Sequence, residues 1–315
     1  MLEKLVTLFG GGGFLGRYVA QQLLKAGARI RIAERNPGDA WFLKPLGGLG
    51  QTQFVAADIT MPGTLPRALE GADAAINFVG ILGGDFESVH VAGAGNAARA
   101  AAAAGVADFI QISAIGADEH ASSRYARSKA RGEAAVRAAM ARAIVFRPSV
   151  IFGAEDRFTN RFAAMARTIP MALPVIAPAT KFQPVYVADV AQAVARAAMD
   201  PAAHRGATYE LGGPQTLSMM EINRFVLDTI GKRDKQAIAV PNMAARTMAK
   251  LGRLPGAPLS WDQWLSLQSD NVASEGAQGF EAFGIAPRPL AALAENWLVR
   301  YRTHGRFAGK AAGAA

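Results

Sequence analysis

Residues 5–17, LVTLFGGGGFLGR, decide the fold of this 315-residue chain. The apolar run from Leu5 to Phe9 predicts a buried strand, and the stretch from Phe14 to Ala26 predicts a helix directly after it. A strand that passes through a glycine turn into a helix is typical of the first unit of a dinucleotide-binding fold. A merely flexible turn is the alternative, but the position between a clear strand and a clear helix favours dinucleotide binding.

The spacing within this turn is G-x-x-G-x-x-G, formed by Gly10, Gly13 and Gly16. The early glycines allow a tight turn with positive φ. They also remove Cβ atoms, so that a diphosphate can approach backbone N–H groups at the helix N-terminus. Gly16 allows the helix to pack closely on the strand. We include Phe14 and Leu15 in the predicted cofactor site.

Short apolar runs alternate with Ala-rich helical stretches as far as Pro148. Because the runs are apolar on both faces and are separated by helices, they predict a parallel sheet that is covered on both sides. Right-handed crossovers then give an α/β fold with a Rossmann-type, doubly wound sheet. The predicted strands are 5–9, 28–33, 53–57, 73–79, 108–113 and 143–148, and the predicted helices include 14–26, 86–105 and 124–140.

The rhythm breaks after Pro148, where prolines interrupt a loop-rich stretch. We predict a dinucleotide-binding domain over residues 1–150, a smaller mixed C-terminal lobe over 151–308 and a disordered tail over 309–315. One strand and one helix of the lobe are expected to return to the sheet. Ser218 is predicted to cap a further helix.

The charge balance is strongly basic, since 34 Lys and Arg against 25 Asp and Glu give +9. Such a field favours anionic partners, and the alternative is an ordinary basic surface on an Ala- and Arg-rich chain. The absence of cysteine excludes disulfides and thiolate nucleophiles. The scattered histidines predict no metal site. We expect no nucleic-acid partner, because the sequence lacks a helix-turn-helix, an aromatic stacking platform and a dense basic run.

The sequence also bears on location. No apolar run approaches the ~20 residues that span a bilayer. Glycines from Gly10 onward interrupt what would be the apolar part of a signal peptide. We therefore expect no transmembrane segment, no signal peptide and a cytoplasmic protein.

The end of the second strand should select the ribose of the cofactor. An acid there binds the 2′-hydroxyl of NAD, whereas an arginine pairs with the 2′-phosphate of NADP. This chain offers both in Glu34 and Arg35, and Arg17 is a second cation after the last glycine. Two guanidinium groups outweigh one carboxylate in charge, and we expect Glu34 to turn outward, so we favour NADP(H). The alternative, which leaves NAD(H) open, is that Glu34 reads the ribose and Arg35 is a solvated surface charge. Asp58 follows the third strand, where it either meets the adenine amino group or caps a turn; we include the adjoining Ile59 in the site.

Tyr125 and Lys129 lie four residues apart and therefore share one helix face. In a dinucleotide fold, the lysine lowers the pKa of the phenol and binds the nicotinamide ribose. The tyrosine can then exchange a proton with a carbonyl or an alcohol. A surface helical pair is the alternative, but the glycine turn and the position after the fifth strand favour the functional interpretation.

The chain resembles the short-chain dehydrogenase/reductase superfamily in its extended and atypical branch, which includes proteins like the NAD-dependent epimerases and dehydratases. Within that branch it is most similar to the family of NADPH-binding accessory subunits of respiratory complex I and their bacterial relatives. The resemblance covers roughly residues 1–215. It rests on GGGGFLGRYVAQQLLKAGARIRIAERNP, INFVGIL, SAIGAD, YARSKARGEAAV, RPSVIFGAEDRFTNRFA and FQPVYVADVAQAV, in that order.

The resemblance implies a set of site residues. Ser113 is the nearest match to the third catalytic hydroxyl of the family, although relatives often carry that group one or two places later, where this chain has Ala114 and Ile115. His90 stands where many relatives have asparagine, and we expect a helix-face or cofactor-edge role for it rather than a role as a base. The residues implied to line the cofactor are Gly10, Gly13, Gly16, Arg17, Arg35, Asp58, Gly80, Tyr125, Lys129, Arg147 and Pro148.

A basic amphipathic helix is predicted over residues 242–254 of the C-terminal lobe. Its apolar positions are Ala244, Met248 and Leu251, and basic residues lie about 200° around the helix. With two tryptophans close behind, at 261 and 264, the segment suits an anionic membrane surface or a partner protein. Packing on its own lobe is the alternative.

Two functions follow from these observations. The first is an accessory subunit of complex I (NADH:ubiquinone oxidoreductase) that holds NADPH as a structural cofactor, peripheral on the cytoplasmic side of the inner membrane. The second is an active NADP-dependent oxidoreductase, or a nucleotide-sugar epimerase or dehydratase, with Tyr125 as the proton donor and acceptor and Lys129 as its tuner. Its substrate would be a small carbonyl compound or a nucleotide sugar.

Overall fold

A computed structural model of the chain describes residues 4–252 and 259–303. Its strands are β1 Leu5–Phe9, β2 Arg29–Glu34, β3 Thr52–Ala56, β4 Ala74–Asn77, β5 Asp108–Ile112, β6 Ile144–Pro148, β7 Ile151–Phe152, β8 Ala172–Val175, β9 Lys181–Phe182, β10 Val185–Tyr186, β11 Thr208–Leu211, β12 Leu217–Ser218 and β13 Gln236–Ala239. Its α-helices are α1 Phe14–Lys25, α2 Pro66–Leu69, α3 Ala94–Ala103, α4 Arg124–Ala139, α5 Thr159–Thr168, α6 Val187–Met199, α7 Met219–Thr229, α8 Asn242–Lys250, α9 Trp261–Ser266, α10 Leu290–Leu293 and α11 Glu295–Leu298. The predicted tail over 309–315, and residues 253 and 254 of the predicted amphipathic helix, lie outside the described residues.

The central sheet has seven strands in the order β11-β6-β5-β4-β1-β2-β3. Each neighbouring pair is parallel. The strand order reverses between β1 and β4, because the chain leaves β1 toward β2 and β3 and later returns to β4 on the other side. The doubly wound fold predicted from the sequence is therefore confirmed. Ligands of such sheets bind in the crevice at the carboxyl ends of the strands on either side of this reversal.

Apolar side chains explain why these segments form a covered sheet. Every residue of β1, β4 and β5 is buried, as expected for strands with helices on both faces. Helix α1 packs on α6, and α3 packs on α4. Because crossovers in opposite directions from β1 place their helices on opposite faces, both faces of the sheet are protected from water.

The chain forms two compact units. The first contains the described residues up to Pro148 together with Val187–Leu211 and Ser274–Ala286. The second contains Ser149–Tyr186, Gly212–Ala273 and the described residues from Pro287 onward. The segment Val187–Leu211 supplies α6 and the edge strand β11, so the sheet includes residues from well beyond the predicted boundary at 150.

The predicted helix over 86–105 differs from the structure in its first part. Residues Glu87–Gly93 form a π-helical segment, and regular α-helix begins only at Ala94. Close packing accompanies the irregular turn, since a Cβ atom placed on Gly132 of α4 would lie 2.1 Å from the carbonyl oxygen of His90. Wide turns of this kind are frequent near functional sites. Hydrophobic periodicity does not distinguish them from α-helix.

The second unit is built from two-stranded sheets and short helices. The pairs are β7 with β10, β8 with β13, and β9 with β12. One apolar cluster of its described residues includes Phe152, Leu173, Val226 and Trp297. The predicted cap of α7 is confirmed, because the hydroxyl of Ser218 accepts the N–H of Glu221 in a capping box.

Candidate dinucleotide site

The glycine turn follows β1 at the reversal of strand order. Gly10 has φ of +76°, and its N–H donates to the carbonyl of Ala33 on β2 at 3.0 Å. A Cβ atom on Gly16 would lie 2.7 Å from the carbonyl oxygen of Gly10 and from the Cα atom of Gly11, which is closer than real atoms approach. The turn therefore excludes side chains at these positions by backbone geometry.

The N-terminus of α1 is open. Gly13 is its N-cap, with extended backbone and no side-chain hydrogen bond, and the first turn contains no acidic residue. The N–H groups of Phe14 and Leu15 are thus among the first-turn donors that no side chain caps. A helix start of this kind, behind a glycine turn that brings backbone close to a ligand, fits a diphosphate. The structure places the predicted residues of this turn next to one another, as the motif implies: Gly10, Gly13, Phe14, Leu15 and Gly16.

Glu34 at the end of β2 turns inward. Its Oε1 accepts the backbone N–H of Gly12 at 2.7 Å, so our expectation that it points outward is wrong. Burial raises the pKa of this carboxyl, and the hydrogen bond from Gly12 opposes that shift. The carboxylate of Glu34 reaches the turn because β2 is the parallel neighbour of β1, so that both strands end at the same edge of the sheet. Glu34 consequently braces the glycine turn.

Two arginines flank this brace. The guanidinium of Arg17 lies 4.7 Å from the ring centre of Phe42 and within 3.4 and 3.5 Å of the carbonyls of Gly13 and Gly12. Arg35 is exposed at the end of β2. Arg17 therefore contacts the segment that follows β2, and Arg35 lies directly after the last residue of β2.

Asp58 forms a turn of its own after β3. Its Oδ1 accepts the N–H and the hydroxyl of Thr60 at 2.8 and 2.7 Å, which is the turn-capping alternative considered from the sequence. Ile59 is buried, and its carbonyl accepts the side-chain amide of Asn96 at 3.0 Å. A contact of Asp58 or Ile59 with adenine stays a prediction.

Tyr125 and Lys129 lie next to each other on α4. The Nζ atom of Lys129 is 5.9 Å from the centre of the Tyr125 ring, and it donates to the carbonyl of Ile112 at 3.4 Å. Burial lowers the pKa of Lys129 to about 8, against the opposing charge of Glu133. Burial also raises the pKa of Tyr125 to about 12. The net shift of this phenol is therefore opposite to the lowering expected from the lysine, because desolvation dominates.

Ser113 carries a buried hydroxyl that lacks a partner. The residue is 5% exposed, and its Oγ makes no hydrogen bond in the part of the chain that the structure describes. It follows Ile112, whose carbonyl accepts a hydrogen bond from the Lys129 ammonium group. A buried hydroxyl without a partner is unfavourable and fits a position that a ligand completes. A Cβ atom on Gly80 would be 3.2 Å from Nζ of Lys129, so the backbone of Gly80 approaches the ammonium group closely.

Arg147 and Pro148 end β6. The guanidinium of Arg147 binds the carboxylate of Glu133 at 2.9 and 2.7 Å and that of Glu210 at 3.3 Å. The carbonyl of Pro148 accepts the N–H of Ile115 at 3.1 Å. These contacts join α4 to β6 and β11, which supports a structural role for Arg147. A contact of either residue with a cofactor stays a prediction.

Comparison with known proteins identifies the family. The model of the NmrA-like family matches residues 2–251 of this chain. The chain belongs to the NmrA-like family. A mitochondrial protein of Arabidopsis thaliana named NADH dehydrogenase (ubiquinone) 1 alpha subcomplex subunit 9 is 32% identical, with 96% of this chain and 79% of the relative covered. The protein of the same name from Mus musculus is also 32% identical and covers 95% of this chain and 81% of its own.

Other relatives are reductases. A ceramide reductase of Caulobacter vibrioides is 35% identical over 191 residues, which are 59% of this chain and 58% of that protein. Among solved structures, the NADPH-dependent quinone oxidoreductase of Escherichia coli in complex with NADPH has a TM-score of 0.74 at 22% identity, covering 93% and 99% of the two chains. The triphenylmethane reductase of Citrobacter sp. with NADP(H) has a TM-score of 0.73 at 19% identity, again covering 93% and 99%. The fold is thus that of NAD(P)-binding Rossmann reductases.

Proposed function

We propose that this chain is a nucleotide-holding accessory subunit of complex I, the NADH:ubiquinone oxidoreductase, with NAD(P)H bound as a structural cofactor. The observation that carries the proposal is similarity over nearly the whole chain, at 32% identity, to two proteins named as subunit 9 of the NADH dehydrogenase 1 alpha subcomplex. The shorter match to a reductase covers 59% of the chain. The subunit relationship therefore includes the second unit of this chain, whereas the reductase match extends over a smaller share of the whole chain.

The chemistry of the site supports binding more strongly than turnover. The glycine turn retains the backbone geometry that a diphosphate requires. The phenol of the Tyr125–Lys129 pair is shifted away from neutrality, since burial raises its pKa to about 12. Proton transfer is fastest when the pKa lies near the working pH. A site with an intact cradle and an untuned phenol fits a nucleotide that is held rather than consumed.

Particular residues would hold the nucleotide. Backbone N–H groups at the start of α1 would bind the diphosphate. Gly10 and Gly16 allow the close backbone packing that shapes this turn. The ammonium of Lys129 donates to the Ile112 carbonyl, and the next residue carries the unpartnered hydroxyl of Ser113. These two groups would recognise the nicotinamide ribose. When bound, the nicotinamide supplies hydride chemistry.

The nucleotide we favour is NADP(H). Arg35 adds a positive charge directly after β2, and Arg17 adds one beside Phe42 in the segment that follows it, which suits a 2′-phosphate. Glu34 uses one oxygen to brace Gly12, so it acts on the turn itself. Titration of the full chain with NADPH and NADH measures the preference, and Arg35→Ala should weaken NADPH binding more than NADH binding. Tighter binding of NADH by the unaltered chain would contradict this assignment.

The partner surface that we propose is α8 in the second unit. This helix buries its small residues Ala245 and Ala249 against Leu259 and Trp264. The apolar positions predicted from the sequence lie outward instead, together with Met243, which is 82% exposed. Exposed methionine and leucine beside Arg246 and Lys250 suit a complex I subunit or an anionic membrane surface. None of the helices in the described part of the chain has the length and apolar character of a membrane span.

We propose a peripheral position for this chain on the cytoplasmic side of the inner membrane.

Mild-detergent purification tests the proposal. We expect a tagged full chain to migrate with complex I subunits and to retain NADP(H) that mass spectrometry detects after dilution. Gly16→Val removes the nucleotide cradle, and Gly63→Ala is the matched control because a Cβ atom at Gly63 has nothing within 4 Å. A chain that never migrates with complex I overturns the subunit assignment. A chain that migrates but never retains nucleotide overturns the structural cofactor.

A reductase is the second candidate, because Tyr125, Lys129 and the unpartnered Ser113 hydroxyl are the side chains that carbonyl reduction uses. The ceramide reductase of Caulobacter vibrioides is a relative in this direction. Its test is oxidation of NADPH against a panel of small carbonyl compounds and nucleotide sugars. Turnover that is lost in Tyr125→Phe while nucleotide binding persists would favour this candidate over the structural cofactor.

A further inference from the structure

His90 lies at the centre of the predicted site, yet neither the motif nor the family resemblance gives it a defined role. It is 3% exposed and belongs to the π-helical segment before α3. Its ring stacks on Phe86 with ring centres 5.4 Å apart and meets the edge of Tyr125 at 5.6 Å. The imidazole therefore lies between the loop after β4 and the face of α4 that carries Tyr125 and Lys129.

Two hydrogen bonds fix the protonation state of this ring. Its Nε2 lies 2.9 Å from the backbone nitrogen of Ile81, which can only donate, so Nε2 is the bare acceptor. The hydroxyl of Ser128 donates to the carbonyl of Tyr125 at 2.7 Å and thus accepts from Nδ1 of His90 at 2.8 Å. A proton on Nε2 would set two donors face to face. The network assigns a neutral ring with its proton on Nδ1.

The two ends of this ring connect different parts of the site. One end holds the loop Gly80–Ile81, which follows β4 at the reversal of strand order. The other end holds the first turns of α4, which carries Tyr125 and Lys129. A Cβ atom on Gly80 would lie 3.2 Å from Nζ of Lys129 and 3.6 Å from Nε2 of His90. Loop, imidazole and ammonium group are therefore packed without a gap.

We propose that His90 is a positioning residue that fastens the Gly80–Ile81 loop to α4 and so fixes the spacing between that loop and Lys129, where the nicotinamide ribose is held. This role rests on the proposed nucleotide binding. Because the ring is neutral, Lys129 is not opposed by a second positive charge beside it. Burial and the charge of Lys129 lower the pKa of His90 to about 3, so the ring keeps this state at neutral pH.

The first test measures the protonation state without any nucleotide. Nitrogen-15 NMR of the full chain at pH 7 should show one histidine with a proton on Nδ1 and a bare Nε2. That signal should disappear in His90→Phe. A proton on Nε2, or an imidazolium ring at pH 7, would overturn the assignment.

The second test measures nucleotide affinity. His90→Phe keeps an aromatic ring but removes both hydrogen bonds, and we expect NADPH to bind about tenfold more weakly. His90→Gln can still accept from Ile81 and should recover part of the affinity. Ser128→Ala breaks only the bond to α4 and should weaken binding in the same direction, which keeps the test informative if His90→Phe does not fold.

The matched control is His204→Phe. His204 lies in the same unit, stacks on Phe283 at 4.6 Å and hydrogen-bonds the hydroxyl of Tyr209 at 2.8 Å. It should lower the melting temperature and leave nucleotide affinity unchanged. If His90→Phe also lowers only the melting temperature, the positioning role is overturned and the proposed function stands. An unaltered chain that binds neither NADPH nor NADH overturns both.

Discussion

The glycine turn and the Tyr125–Lys129 face of α4 serve one predicted site by opposite means. In the turn, missing side chains matter: a Cβ atom at Gly16 would overlap the backbone 2.7 Å away. On α4, the surroundings of two side chains matter, because burial moves both pKa values away from their ordinary positions. The difference teaches that nucleotide binding and proton transfer depend on separate physical conditions. A protein can therefore keep the first without the second.

Gly16→Val gives the largest effect expected at the turn. The branched side chain would overlap the carbonyls of Gly10 and Gly11 and displace α1. We expect loss of NADPH affinity by more than about 100-fold, because both the diphosphate donors and the space beside them are lost. Isothermal titration with Gly63→Ala as control measures it. Binding that survives in Gly16→Val would show that the turn is not the cradle.

Arg147→Met should act on the α4 side through stability. The substitution leaves the buried carboxylates of Glu133 and Glu210 without their cation. Breaking such a pair from one side costs about 3 kcal/mol in free energy of unfolding. Urea denaturation measures the loss, and Arg131→Met is the control because its pair with Glu87 is exposed. Equal effects in the two variants would remove the distinction between these ion pairs.

Gly132→Ala should have a smaller effect on stability. Its Cβ atom would lie 2.1 Å from the carbonyl oxygen of His90, so α4 must move away from the π-helical segment. Overpacking of this kind costs about 2 kcal/mol. Thermal melting beside Gly63→Ala provides the comparison. An unchanged melting temperature would mean that this close approach is relieved at little cost.

The pH dependence of stability that Tyr125 causes should be the smallest of these effects. It tests directly whether burial raises the pKa of the Tyr125 phenol on α4. The folded chain holds the phenolic proton up to a pKa of about 12, against an ordinary value of 10.0. Between these values the unfolded chain loses the proton first, so stability falls as the pH rises through this range. Ultraviolet difference titration of the unaltered chain against Tyr125→Phe measures ionisation. A phenol that ionises near neutrality would restore the enzyme interpretation.

The sequence predicted the backbone of this molecule better than its side-chain chemistry. The glycine spacing and the alternation of strands and helices sufficed for the doubly wound sheet, because both depend on local pattern. The orientation of Glu34 was missed, since it depends on a hydrogen bond to Gly12 across two strands. The pKa of Tyr125 was missed as well, because desolvation depends on tertiary packing that no spacing encodes.

His90 and Arg147 show the same limit. The sequence placed His90 on a helix face, but its contact with Ile81 depends on a loop nine residues earlier folding back. Arg147 was assigned to the cofactor through family resemblance, whereas its carboxylate partners come from α4 and β11. The sequence does contain the two glutamates, at 133 and 210, but their spacing from Arg147 does not reveal that they pair with it.

The edge strand β11 lies about 60 residues after its neighbour β6 in the sequence, and this order has a consequence for synthesis of the chain. After β6 has been synthesised, the ribosome makes Ser149–Tyr186 and the residues up to 207 before it reaches β11. During this interval β6 is the edge strand of an incomplete sheet, and its outer backbone N–H and C=O groups lack the partners that Thr208–Leu211 later provides. At translation rates of about 5–20 residues per second, this interval lasts seconds. An open rim recruits strands from other chains. The nascent polypeptide is most vulnerable to misassembly in this window, and chaperones that shield it there would raise its yield.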